Sequence, residues 1–152
     1  MIAICIGVVS AARLETVASF PPSFTVKSAA VRSVTIPPFA STAAMLTDRV
    51  VAAASFHGVR LCTDNPESPH RYANSIKAEL YIGCAQTDSY APTAMIEALD
   101  KHLRTTPVRY RIETYPETHH GFVFPKREGM YQKAGAERHW ERLIALFRRN
   151  LG

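Results

Sequence analysis

No apolar run in this sequence approaches the length needed to span a bilayer, so a membrane-embedded helical protein is excluded as an expectation. Cysteine is scarce, with Cys5, Cys62 and Cys84 odd in number and irregular in spacing. There is no Cys-x-x-Cys pair and no zinc pattern, so neither a disulfide framework nor a structural metal site is expected. That usage fits a reducing, cytoplasmic setting in which each thiol is a small buried side chain. No motif asks for a cofactor. Acids are nearly missing from the front of the chain, where Glu15 stands alone before residue 38.

That opening is also poor as a targeting signal. Met1 to Val9 is apolar and is followed by Ser10-Ala11-Ala12, but a basic n-region is missing and the apolar core is short. A basic, Ser-rich, acid-poor start suggests an organelle leader, yet the amphipathic arginine pattern of one is thin. A basic excess exists over the whole chain, 18 Lys and Arg against 13 Asp and Glu. These charges are spread out, and the densest run, Arg138 to Arg149, has acids among them. With no stacking platform or nucleic-acid motif beside them, they read as solvated surface.

What is present suits one α/β domain. The 47% apolar share of 152 residues is ordinary and enough to bury a core. Val50 to Phe56 and Ala78 to Cys84 are short apolar runs of the kind found in buried parallel strands. Val108 to Tyr115 alternates, with Val108, Tyr110, Ile112 and Thr114 on one face, and Pro116 is expected to help end that strand. Thr93 to Leu103 is expected to be helical, with Met95, Ile96, Leu99 and Leu103 as its core stripe. A last helix is expected from about Gln132 to Asn150, burying Ala136, Trp140, Leu143, Ile144 and Phe147. Thr63 to Arg71 reads as a polar loop.

Chemistry concentrates on two loops. Asp88 lies in Gly83-Cys84-Ala85-Gln86-Thr87-Asp88-Ser89-Tyr90-Ala91-Pro92, between a strand and a helix that Pro92 could start. His119 and His120 lie in Tyr115-Pro116-Glu117-Thr118-His119-His120-Gly121-Phe122, after the next strand. Taken alone, Asp88 could be a turn former and the histidines a surface pair. In an open α/β sheet, however, functional side chains gather at the carboxyl ends of strands. A carboxylate that accepts from one imidazole nitrogen leaves the other free as a base. His57, at the end of Val50 to Phe56, could line the same site or be a structural histidine.

These two motifs resemble the acid and histidine motifs of the dienelactone hydrolases, α/β-hydrolase-fold enzymes that use a Cys-His-Asp triad, with Ser for Cys in some relatives. The similarity takes in Asp48 to Gly58 and the last helix, including Ala136-Glu137-Arg138-His139-Trp140, and covers roughly Pro38 to Leu151. It implies an incomplete α/β-hydrolase fold, a parallel sheet of about three recognisable C-terminal strands flanked by helices. Residues 1–37 form an atypical segment outside the family pattern, and 38–152 the family-like part. The resemblance assigns catalytic roles to Asp88 and to His120, the histidine directly before Gly-Phe. The substrate implied is a small-molecule ester or lactone, with no nucleic acid and no membrane as partner.

Two departures stand out. The family's nucleophile sits on a Gly-x-nucleophile-x-Gly elbow. Where it would fall, the chain reads Arg32-Ser33-Val34-Thr35-Ile36-Pro37, without glycine or cysteine. Ser33 has the right chemistry with bulky flanks, and Cys5 has small flanks but the wrong spacing. Second, the family's arginine for the substrate carboxylate is replaced by Phe124, with Arg127 a few residues on. The expectation is therefore either an ester or lactone hydrolase whose nucleophile is not identifiable, or a catalytically inactive fragment acting as an interaction module. Without an elbow strand beside it, Val50 to Phe56 would be an exposed edge. Either Met1 to Val9 takes that place or the protein self-associates.

Overall fold

The computed structural model describes residues 2–7 and 50–151, with side chains for residues 50–150. Four parallel strands lie in the order β1 (Ile2–Gly7), β2 (Val50–Phe56), β3 (Glu79–Thr87) and β4 (Tyr110–His119). Helix α1 (Thr93–Leu103) joins β3 to β4, and α2 (Lys133–Leu151) follows β4. The three expected C-terminal strands are present. The expected N-terminal substitute is there too, with Cys5 of β1 level with Ala54 of β2.

Both faces of the sheet are covered, which is why β2 and β3 read as nearly continuous apolar runs. Val50, Ala53, Leu80, Ile82 and Cys84 cluster with Leu99 and Leu103 of α1, and Met95 and Ile96 pack against them. On the other face Ala54, Phe56, Tyr81 and Tyr115 meet Ala136, Leu143 and Leu146 of α2, with Trp140 and Phe147 alongside. The α2 stripe differs from expectation in three places, the first being Leu146, which is buried in the cluster. His139 is fully buried, and Ile144 is half-buried outside the cluster. His139 takes an inward position because Gly83 on β3 leaves room, and a methyl there would overlap its ring. Its Nδ1 lies 2.9 Å from the Tyr81 hydroxyl, which also pairs with the Tyr115 hydroxyl.

The site-bearing strands run further than their sequences suggest. β3 continues to Thr87 and β4 to His119, so Pro116 does not end its strand. β4 has no partner on its outer side among the described residues, and edge strands and bulges are where a proline is tolerated. The register slips between Ala85 and Thr87, and Glu117 takes a left-handed φ of 57° at this irregularity. Its N–H donates to Gln86 Oε1 at 2.7 Å, which binds the slipped segment to β3. The expected polar loop over Thr63 to Arg71 gives way at Pro69 to a 3-10 turn, Pro69–Ser75.

Candidate active site

Three strand ends converge on one spot. Asp88 follows β3 directly, and its side chain is 1% exposed. The backbone N–H groups of Tyr90 and Ala91 donate to its Oδ1 at 2.8 and 3.2 Å, a tight turn that leads through Pro92 into α1. Oδ1 is thereby occupied, and Oδ2 faces His120 Nδ1 at 2.7 Å. The structure thus brings together the two residues singled out from sequence, 32 positions apart.

The protonation pattern of the pair follows from its contacts. Burial alone would raise the Asp88 pKa, but the His120 hydrogen bond and the Tyr90 and Ala91 amides outweigh it and hold the carboxyl below its usual range. An ionised carboxylate can only accept, so the proton between the two belongs to His120 Nδ1. In the neutral tautomer so defined, His120 Nε2 is the ring nitrogen that carries no proton and can take one. His119, its neighbour, is exposed on the last residue of β4.

His57 stands behind this pair. It is 1% exposed, its ring centre is 5.3 Å from that of His120, and its Nδ1 accepts the Gly121 N–H at 3.4 Å. Burial, with His120 nearby, pushes its pKa down to about 3, so it is neutral. The sequence allows His57 to be either a site residue or a structural histidine. For the buried His139 the sequence signal is its spacing from Ala136 and Leu143, which puts it on the apolar face of α2. On the outer side, the Tyr90 ring lies 5.0 Å from His120 and is 62% exposed. Phe124 is half-buried beside His57, and exposed Arg127 donates from Nη1 to the His120 carbonyl at 3.4 Å.

Among the described residues no hydroxyl or thiol hydrogen-bonds to His120. Ser33 lies outside the described residues, and Cys5 is described only through the backbone of β1. The thiol of Cys84 is buried on the α1 face and pushed up to about 12, by burial first and then by Asp88, which rules it out as a nucleophile. Cys62 is raised too, mainly by burial. Among the described residues no group of three or more His, Cys, Asp or Glu is arranged to hold a metal ion. None of the helices there is long and apolar enough to cross a membrane.

A parallel sheet covered on both sides, with acid and histidine on successive strand ends, defines part of an α/β-hydrolase fold. Solved structures agree. A Klebsiella pneumoniae protein described as a dienelactone hydrolase matches with a TM-score of 0.64 at 23% identity, over 73% of this chain and 47% of that one. A dienelactone hydrolase-like promiscuous phosphotriesterase from metagenomic libraries matches at 0.61 and 18%, over 72% and 46%. The dienelactone hydrolase family model matches residues 38–151, and the chain belongs to that family. A Synechocystis protein described as a carboxymethylenebutenolidase is 30% identical over 105 residues, 67% of this chain and 42% of that protein. The chain therefore spans less than half the length of these relatives.

Proposed function

We propose that this chain hydrolyses a carboxylic ester or lactone, with Asp88 and His120 as its acid–histidine pair and a Cys or Ser as nucleophile. In outline, His120 Nε2 takes the proton of the nucleophile as it attacks the ester carbonyl. It then returns that proton to the leaving alkoxide, and a water deprotonated by His120 in turn cleaves the acyl-enzyme, releasing the acid and restoring the nucleophile. Asp88 keeps the imidazole in the required tautomer and stabilises the cation that forms. The observation that carries this is the 2.7 Å contact between His120 Nδ1 and the twice-anchored Asp88, in a chain of the dienelactone hydrolase family. An uncharged small ester is favoured, because Phe124 offers no charge to a substrate carboxylate and Arg127 is engaged with the His120 carbonyl. A cytoplasmic location, with neither nucleic acid nor membrane as partner, goes with this reading.

One observation favours a second reading, a catalytically silent fragment that serves as an interaction module. It is the sequence Arg32-Ser33-Val34-Thr35-Ile36-Pro37, which has neither glycine nor cysteine where the family's elbow would fall. Self-association through an open sheet edge belongs with this alternative, although β2 has β1 beside it here. Turnover of p-nitrophenyl esters separates the two. Measurable hydrolysis that falls by about six orders of magnitude in His120→Ala is expected of the enzyme. Soluble, folded protein without turnover would leave the fragment.

A further inference from the structure

We propose that His57 is a positioning residue, which fixes the direction in which the His120 imidazole leaves the backbone. The peptide plane between His120 and Gly121 is held at both ends. Its N–H donates to His57 Nδ1 at 3.4 Å, and its carbonyl accepts from Arg127 Nη1 at 3.4 Å. A plane held in this way restricts the rotation of His120 on one side and of Gly121, whose φ is 90°, on the other. The ring is thereby kept 2.7 Å from Asp88.

Several features of His57 fit this task better than space-filling. Its φ is 55°, a left-handed conformation that disfavours any residue with a β-carbon. Its Nε2 is buried without a partner among the described residues, a cost that a phenylalanine would avoid. Both features persist beside the one contact that needs a nitrogen acceptor, Nδ1 toward Gly121. To accept there, the ring must be neutral, with its hydrogen on Nε2. Burial keeps it so, reinforced by His120 and Arg127 against the opposing Asp88, and His139 is the other titratable ring beside it.

The test uses the full-length, 15N-labelled protein and two variants that both tolerate a positive φ. His57→Asn keeps an acceptor oxygen near the place of Nδ1, and His57→Gly has none. In His57→Gly the Gly121 amide is expected to exchange with solvent about tenfold faster, the loss of one hydrogen bond. The downfield Nδ1 proton resonance of His120 should broaden or vanish, while the amides of Tyr81 and Ile82 in β3 keep their rates. His57→Asn should restore both signals. Should His57→Gly fail to fold, His57→Gln carries the same comparison, because its amide reaches toward the Nε2 side instead. A folded variant without the acceptor that shows wild-type Gly121 exchange and an intact His120 Nδ1 proton would overturn the proposal. The role rests on the hydrolase reading only where it concerns turnover. Both readouts come from the resting protein, so they decide the point whether or not the chain cleaves an ester.

Discussion

The buried imidazoles of His57 and His139 sit inside a core that favours their neutral forms, and burial pushes each pKa down to about 3. An unfolded histidine titrates near 6.5, so between these values the unfolded chain binds more protons than the folded one. Stability attributable to the pair is fully present above pH 6.5 and is lost as pH falls toward 3, by up to about 1.4 kcal/mol per unit for each ring. Urea midpoints measured at pH 7 and pH 4.5 should therefore fall steeply at the lower pH, and less steeply in His139→Phe. Equal midpoints would mean that these rings are not held neutral. Sequence spacing points to Asp88 and the His119-His120 pair because both follow recognisable strands, and the family resemblance selects His120 of the two. Spacing could not rank His57, since whether a histidine at a strand end is buried depends on Phe122 and Phe124, 65 or more positions away.

At the scale of elements, α2 is docked on the sheet by a ring-to-glycine contact as much as by its apolar stripe. His139 occupies the space that a side chain at Gly83 would fill, and lies 3.8 Å, centre to centre, from the Phe56 ring. Ion pairs orient the helix further. Glu113 of β4 accepts from Arg138 at 2.7 Å and Arg142 at 3.1 Å, and Glu79 of β3 binds Arg149 and Asn150. Gly83→Ala should destabilise the protein by about 1–3 kcal/mol in urea unfolding, the usual cost of overpacking. The cost should largely disappear in a His139→Ala background, and additive costs would refute the contact. The bounds of β2 and α1 could be read from sequence because their apolar runs are flanked by polar residues and by Pro92. The length of β4 could not be, since it depends on the Glu117–Gln86 bond across the irregular register.

At the scale of the molecule, β1 supplies an outer neighbour to β2, so an apolar strand is not left as a bare edge. Its apolar run could be read from the sequence, but its place in the sheet is set by pairing with residues more than forty positions later. The family match begins at residue 38, the chain covers 42% of its Synechocystis relative, and the hydrolase reading requires a nucleophile within reach of His120. Covalent labelling with a β-lactone probe, which acylates activated serines and cysteines alike, followed by peptide mapping, addresses that requirement most directly. A hydrolase built on Asp88 and His120 should carry the label on a single Ser or Cys, and lose it in both His120→Ala and Asp88→Asn. A folded wild-type chain that takes up no label, or one labelled equally in all three proteins, would contradict that function.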